Sequence, residues 1–235
     1  MKALLFDTET TGLDPTKDII VEVGAVLYDL RIGAVLASFS SLASTDVGET
    51  LLLPTSGITT TMLHEAWKRE RVWVAVADML AEADVVMAHN ASFDKGMLEA
   101  DVEWKSFSST FKEAHARPWV DTCNAFPWPC RAPGDSRALT AVALSYGVPI
   151  ISAHRALTDC DILARTLTRV KELGYDLVEL TKAAMIPRKR VAAIVSYAAR
   201  DQAKTAGFRW DGKVWWKECT DEEIGKLPFK TREMT

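Results

Sequence analysis

The 235-residue sequence lacks several features that mark particular classes of protein. It contains no apolar run approaching the roughly 20 residues needed to span a bilayer, so we expect no membrane partner. Met1-Lys2-Ala3 leads directly into an apolar stretch and shows no pattern of a secretory signal. No internal repeat or low-complexity segment is visible, and a composition of 48% hydrophobic and 26% charged residues is typical of a globular protein.

Cysteine is scarce and scattered. The four cysteines, Cys123, Cys130, Cys160 and Cys219, include no C-x-x-C pair. They therefore form neither a disulfide framework nor a zinc site, and are typical of free thiols in a reducing compartment. We expect a cytoplasmic location.

Neither sign of charge dominates the chain, whose net charge is −4. The distribution is uneven, because residues 187–235 carry 11 Lys and Arg against 7 Asp and Glu, whereas the remainder carries 17 against 25. An acidic body with a basic end is compatible with a metal-dependent enzyme that has a polyanion-binding appendage, although chance produces such asymmetry as well.

Two acidic residues follow the first apolar run. Asp7 and Glu9 come directly after Ala3–Phe6, and their i, i+2 spacing places both side chains on one side of a strand. Adjacent carboxylates repel each other and resist burial, and a hard divalent cation relieves both costs. The alternative is a solvated turn with two surface acids.

The body of the chain alternates predicted strands and helices. Strands are predicted from Ala3 into the two acids and over Asp18–Tyr28, Ala34–Leu42, Asp84–Ala88 and Trp119–Thr122. Helices are predicted over Thr59–Trp67, Val72–Glu82, Ser92–Glu99, Ala138–Tyr146 and His154–Leu173, with loops over Thr45–Gly57 and Ala125–Asp135. A meander of three strands and a fourth strand parallel to the first indicate an α/β fold, a mixed sheet flanked by helices.

A second domain is predicted at the C-terminal end. Residues 175–190 lose strand character, so we place one domain over 1–175 and a small basic, Trp-rich module over 187–235. In the module we predict a strand over Val191–Tyr197, a helix over Arg200–Ala206 and a hairpin around Asp211-Gly212.

Two further clusters carry candidate catalytic groups. Asp94 follows the predicted strand ending at Ala88, a position where α/β proteins bind ligands, although an acid in a first helical turn is also favourable by itself. His154 and Asp159 lie five residues apart, so they converge only if His154 precedes the helix or lies in its first turn. The alternatives are a capping or surface histidine and an Asp159 paired with Arg155.

In chain order the three clusters resemble the motifs of the DEDDh exonucleases, which include proofreading exonuclease subunits, exonuclease X and ribonuclease T. The matching segments are Phe6-Asp7-Thr8-Glu9-Thr10-Thr11-Gly12-Leu13, Ala88-His89-Asn90-Ala91-Ser92-Phe93-Asp94 and His154-Arg155-Ala156-Leu157-Thr158-Asp159. The resemblance covers about residues 1–172 and implies a ribonuclease H-like mixed five-stranded sheet.

The resemblance also implies a mechanism. Asp7 bridges two Mg²⁺ or Mn²⁺ ions, whose shells Glu9, Asp94 and Asp159 complete, and His154 is the general base. Nucleoside 5′-monophosphates are then released from a 3′ end. The residues implied to contact the terminal nucleotide are Thr10, Leu13, Ile58, Met62, Asn90 and Phe93. For Phe93 a core aromatic is the alternative, and Asp121 is interpreted as a structural acid at a strand end.

The module has its own resemblance, to a small A-K-x-x-G-x-R-W-D domain appended to nucleic-acid enzymes. It is carried by Ala203–Asp211 and Lys213–Lys217. Cations between aromatic residues suit a single strand, and the candidate contacts are Lys204, Arg209, Lys213, Trp216 and Lys217. The alternative is that Trp210 and one of Trp215 and Trp216 form the core of a very small domain.

We therefore expect a metal-dependent 3′→5′ exonuclease acting on single-stranded DNA or DNA 3′ ends. An exoribonuclease of the same fold is the alternative, because no residue here decides the sugar preference. A non-catalytic scaffold that binds nucleic acid or a polymerase is a third hypothesis. A polymerase or repair complex is a candidate partner by analogy alone.

Overall fold

The protein is described by a computed structural model that covers residues 1–45, 56–101, 104–106, 117–132 and 134–234. Most of the loop predicted over Thr45–Gly57 lies outside these ranges, as does Pro133 of the loop predicted over Ala125–Asp135. The described residues divide into two compact units. Unit 1 comprises 1–127 and 137–184, and unit 2 comprises 128–136 and 185–235.

Unit 1 is built on a mixed sheet of five strands in the order β3-β2-β1-β4-β5. The strands are β1 Lys2–Thr10, β2 Ile20–Asp29, β3 Ala34–Leu42, β4 Val85–Ala88 and β5 Trp119–Asp121. β1 pairs antiparallel with β2 and parallel with β4, and β2 pairs antiparallel with β3. The predicted meander and the predicted parallel pairing are both confirmed.

Helices cover this sheet. Their bounds are α1 Thr60–His64, α2 Arg69–Ala81, α3 Ala91–Ala100, α4 Leu139–Ser145, α5 Ala156–Glu172 and α6 Leu177–Ala184. The buried face of α2, with Trp73 and Val76, packs into a core that includes Leu4 and Phe6 of β1. α6 was not predicted, and the sequence placed the end of the body nine residues earlier, at 175, than the end of unit 1 at Ala184.

The helix α5 packs closely against β2, because β2 carries a glycine where the helix and the strand meet. A Cβ at Gly24 would lie 2.3 Å from the backbone carbon of Ala156 and 2.4 Å from the nitrogen of Leu157. Such distances are far inside van der Waals contact. The bare backbone at Gly24 therefore lets the first turn of α5 approach β2 closely.

Unit 2 forms a separate antiparallel sheet in the order β7-β8-β6-β9. Its strands are β6 Lys189–Ala193, β7 Arg209–Trp210, β8 Trp215–Cys219 and β9 Thr231–Glu233, and its helices are α7 Arg200–Thr205 and α8 Asp221–Gly225. The hairpin predicted around Asp211-Gly212 is confirmed by the pairing of β7 with β8. α8 and β9 were not predicted.

The core of unit 2 is small. It consists of Val191, Ala203, Phe208 and Cys219, with partly buried side chains packed around them. Trp215 is among those partners, whereas Trp210 is 54% exposed. The interpretation of Trp210 as a core residue is therefore wrong, because the two-residue strand β7 holds it at the surface, while Trp215 has the predicted role. No helix among the described residues is long and apolar enough to cross a membrane.

Candidate active site

Three carboxylates meet where β1 ends and α5 begins. Asp7 and Glu9 project from the same side of β1, and Asp159 lies in the first turn of α5. One carboxylate oxygen from each of the three residues lies within 4.8 Å of the other two. The predicted convergence of these three residues is thus present in the structure, although 150 residues separate Glu9 from Asp159 along the chain.

Asp94 is held on the adjacent helix by the strand itself. It lies in the first turn of α3, is only 3% exposed, and its Oδ1 accepts hydrogen bonds from Thr8 N (3.0 Å) and Thr8 Oγ1 (2.8 Å). Because Thr8 stands between Asp7 and Glu9, these bonds tie α3 to the strand that carries the other two acids. Sequence reasoning missed this role of Thr8.

The clustering changes the acidity of the carboxyl groups. Burial raises the pKa of Asp7 well above its ordinary value, and the negative charges of Asp94, Asp159 and Glu9 raise it further. Burial and the charge of Glu22 raise the pKa of Glu9 to about 7. Burial also raises the pKa of Asp94 to about 7, although its bonds to Thr8 act in the opposite direction. The site therefore resists holding its full negative charge without a cation.

The donor set fits a divalent cation. Oδ1 of Asp159 is buried and has no hydrogen-bond partner among the described residues. Burial raises the pKa of Asp159, and the backbone N–H and charge of His154 counteract that effect. A buried, unpartnered carboxylate oxygen beside two further carboxylates is the kind of oxygen site that Mg²⁺ or Mn²⁺ occupies.

His154 lies just before α5, as convergence with Asp159 requires. Its φ is 64°, in the left-handed region, and it is two residues ahead of the first helical residue, Ala156. The backbone N–H and the charge of His154 both act to lower the pKa of Asp159, which places His154 near the first turn of the helix. The His154 side chain is exposed and so is accessible from solvent.

Arg155 does not pair with Asp159, so the surface ion pair considered from the sequence is wrong. Arg155 instead makes a two-pronged contact with Glu22 of β2, with Nη2 at 2.5 Å from Oε1 and Nε at 2.9 Å from Oε2. Glu22 is 2% exposed and also accepts the backbone N–H of Ala156 at 3.1 Å. Sequence reasoning missed Glu22, although an acid inside the apolar run Ile19–Val26 was the signal that a buried partner exists.

The residues proposed to hold the terminal nucleotide differ in their exposure. Leu13 is 77% exposed, on a turn fixed by Asp18, whose carboxylate accepts Thr11 Oγ1 at 3.0 Å and the backbone N–H of Asp14 at 2.8 Å. Thr10 is buried and donates to the carbonyl of Gly12 at 2.6 Å.

Ile58 and Met62 also lie in different environments. Ile58 is 5% exposed and belongs to a small cluster with Val21 and Leu63, so in this structure it is a core residue. Met62 is half-buried, and its backbone N–H bonds to the capping side chain of Thr59.

Of the second motif, Asn90 and Phe93 have structural roles here. Asn90 is the N-cap of α3 with φ 84°, and Phe93 packs partly buried against the main core, as its alternative interpretation predicted. Asp121 accepts the backbone N–H groups of Asn90, Cys123 and Asn124, which agrees with a structural acid at the strand end.

In unit 2 the candidate nucleic-acid contacts divide into two groups. Lys204, Arg209 and Lys213 are exposed. Trp216 is half-buried with the Arg190 guanidinium 3.9 Å from its ring centroid, and Lys217 donates to the carbonyl of Ala206 at 3.0 Å. Trp216 and Lys217 are thus already engaged within the unit.

Two family models match the chain. One, described as exonuclease, covers residues 4–167, and the other, a domain of unknown function, covers residues 189–234. The DNA polymerase III PolC-type proteins of Staphylococcus haemolyticus and Staphylococcus aureus are each 29% identical over 177 residues, or 73% of this chain. The chain spans only 12% of the length of these curated relatives.

Solved structures are similar in fold at low sequence identity. The nuclease domain of 3′hExo, a DEDDh family member, bound to rAMP is 18% identical with a TM-score of 0.59, over 74% of this chain and 92% of that chain. Exonuclease X in complex with 5′-overhanging duplex DNA is 21% identical with a TM-score of 0.52, over 77% and 99%. The E. coli ExoI–ssDNA complex is 15% identical with a TM-score of 0.63, over 87% and 50%. These likenesses confirm the predicted fold.

Proposed function

Because the chain belongs to the exonuclease family, matched over residues 4–167, we propose that it hydrolyses the terminal phosphodiester bond at the 3′ end of DNA. Membership confirms the resemblance drawn from the three motifs and makes the chain a nuclease-family hydrolase. The direction of attack, the substrate and the cofactor are the proposed part. The product is a nucleoside 5′-monophosphate.

The observation that carries this proposal is the group of carboxylates from β1 and α5, whose oxygens lie within 4.8 Å of one another. Asp7, Glu9 and Asp159, with Asp94 beside them, would hold two Mg²⁺ or Mn²⁺ ions. Such a pair, when bound, activates the attacking water and offsets charge on the leaving 3′ oxygen.

The chain's own residues supply the remaining functions. His154 accepts the proton of the attacking water at a ring nitrogen, since its side chain is exposed and it lies two residues before α5, whose first turn carries Asp159. Leu13 offers an apolar side chain at 77% exposure on a fixed turn beside the acids, where it stacks against the terminal base. Thr10 keeps that turn closed through its bond to Gly12.

DNA is the favoured substrate because the names of the curated relatives describe DNA polymerases, and a polymerase or repair complex is the partner we propose on the same ground. The alternative is RNA, since one structural neighbour, 3′hExo, is bound to rAMP. Degradation of matched DNA and RNA oligomers, single-stranded and duplex, decides between them by the ratio of kcat/KM values.

The proposed roles are tested by release of mononucleotides from a 3′-labelled oligomer during titration with Mg²⁺ and Mn²⁺. We expect Asp7→Asn and Asp159→Asn to abolish release, and His154→Ala to reduce kcat by about 10²–10⁴-fold. Asp161→Asn is the matched control, because Asp161 lies on the same helix but pairs with Arg165 at 2.7 Å. An Asp159→Asn protein that releases mononucleotides at the full rate would refute the assignment. If the unsubstituted protein, here called the parent, releases none with either metal ion, a binding scaffold would be favoured instead.

A further inference from the structure

Unit 2 contains a surface groove that the hydrolytic site does not use. It encloses about 580 Å³ and is lined by residues of β6, β7, β8 and the segment around Tyr197. The side chains that matter for recognition are Tyr197, Arg200, Trp210, Lys213 and Trp215. All five belong to residues 185–235, so the groove lies within one compact unit.

Two large aromatic rings are left open to solvent along this groove. Trp210 is 54% exposed and Tyr197 is 81% exposed. The Trp210 ring is supported by Trp215, with ring centroids 5.6 Å apart. A domain this small needs its aromatic residues for its core, so rings of this size held at the surface indicate a ligand with a flat apolar face.

Cations accompany both rings. The Arg200 guanidinium lies 4.0 Å from the centroid of the Tyr197 ring, and its Nη1 donates to the Tyr197 carbonyl at 2.9 Å. Lys213 is exposed in the turn between β7 and β8. Neither Arg200 nor Lys213 forms an ion pair within the part of the chain that is described. The acid in that turn, Asp211, is occupied by the backbone N–H groups of Lys213 and Val214.

We propose that this groove binds single-stranded nucleic acid, with bases stacked on Trp210 and Tyr197 and phosphates held by Arg200 and Lys213. Flat rings alternating with cations match the alternation of bases and phosphates in a single strand. A duplex hides its base faces and does not fit this arrangement. The excess of basic over acidic residues in 187–235 acts in the same direction.

The residues that line the groove differ in part from the nucleic-acid contacts predicted from the sequence. Trp216 and Lys217 are engaged inside the unit, whereas Tyr197 and Arg200 were not predicted and line the groove. Binding there does not depend on hydrolysis, so the proposal stands or falls separately from the proposed function.

The test uses the full chain in EDTA and a circular single-stranded oligonucleotide labelled with a fluorophore. A circle has no 3′ end for the hydrolytic site, so its affinity reports on other surfaces. We expect Trp210→Ala and Tyr197→Ala to weaken binding by about 5- to 150-fold each, and Trp210→Phe to retain most of the affinity. Arg200→Gln and Lys213→Gln should each lower the slope of log affinity against log salt by about 0.7.

Lys226→Gln is the matched control, since Lys226 is an exposed cation of the same unit that pairs with Glu222 at 2.5 Å. It should leave the affinity for the circle within about twofold of the parent. Circular dichroism of each variant checks folding, which exposed positions should preserve. The proposal is overturned if the Trp210 and Tyr197 variants bind the circle like the parent, or if duplex or a proline-rich peptide binds the groove more tightly than the circle.

Discussion

Glu22 is not one of the clustered acids, but its contacts affect the site. Its carboxylate is nearly inaccessible, binds Arg155 and the first N–H of α5, and raises the pKa of Glu9. Through these contacts a buried strand fixes where α5 begins, and with it the place of Asp159. Glu22 is in this sense a positioning residue.

We expect Glu22→Gln to lower the free energy of unfolding by about 1–3 kcal/mol, because it removes the charge of a buried carboxylate that binds both Arg155 and the backbone N–H of Ala156. Urea denaturation of the metal-free protein measures the loss. Glu179→Gln is the control, since Glu179 makes an exposed pair with Lys182 and the substitution should cost much less stability. Equal effects of the two substitutions would contradict the positioning role.

The raised pKa of Asp94 gives a pH dependence to the stability of the metal-free protein. The folded pKa is about 7 against an ordinary value of 3.8, so the folded state binds more protons than the unfolded state between these values. The contribution of this group to the free energy of unfolding therefore falls as the pH rises from about 4 to about 7. Asp94→Asn should reduce the fall in Tm between about pH 5 and pH 7.5, measured by calorimetry in EDTA.

Added Mn²⁺ supplies the converse test at about pH 7.5. It should raise the Tm of the parent by mass action and raise that of Asp159→Asn much less, because a ligand of the proposed site is lost. A Tm of the parent that does not respond to Mn²⁺ would contradict a cation site at these acids.

At this scale the sequence revealed the acids but not the residues that support them. Period-two spacing placed Asp7 and Glu9 on one face without any tertiary information. The partners of Glu22 and Asp94 lie 133 and 86 residues away in the chain, at Arg155 and Thr8. Contacts of that separation leave no local periodic pattern.

Among the secondary-structure elements, β2 and α5 meet so closely that a side chain at Gly24 has no room. We expect Gly24→Ala to cost about 1–3 kcal/mol by overpacking and to lower kcat by about 10²-fold by displacing Asp159. The two losses are measured separately, by denaturation and by mononucleotide release.

Gly96→Ala is the matched control for this substitution. Gly96 lies within α3, and a Cβ there would lie 3.8 Å from the side chain of Pro15, its nearest neighbour outside the helix, which is ordinary contact. Alanine should stabilise the helix by up to about 1 kcal/mol and leave kcat unchanged. A Gly24→Ala protein as active as Gly96→Ala would show that α5 tolerates a shift.

The strands and long helices were accessible from the sequence, because β-branched runs and helical periodicity act locally. β3 has the predicted bounds, and Gly147 ends the helix before it with φ 74°, as predicted for Ala138–Tyr146. α6, α8 and β9 were missed, although elements as short as α1 and β4 were predicted.

At the scale of the whole molecule, units 1 and 2 each have their own core. We therefore expect a substitution in the core of unit 2 to impair binding of the circular strand without impairing hydrolysis. Phe208 is 4% exposed and its ring packs edge-on against Phe229 at 5.3 Å. Phe208→Ala should cost about 3–5 kcal/mol, more than a unit of this size tolerates. We expect it to abolish binding of the circular strand while keeping hydrolysis of the p-nitrophenyl ester of thymidine 5′-monophosphate within about twofold.

Ile194→Ala is the control, because Ile194 belongs to the same unit but is 59% exposed. This substitution should change neither the binding of the circular strand nor the hydrolysis of the ester. Loss of ester hydrolysis in Phe208→Ala in proportion to loss of binding would contradict separable cores.

The composition of unit 2 has a consequence for gene fusion. Residues 128–136 belong to it although they are encoded inside the stretch that forms unit 1. Grafting 185–235 alone onto another nuclease would therefore leave residues 128–136 of unit 2 behind, although every residue that lines the groove lies within 185–235.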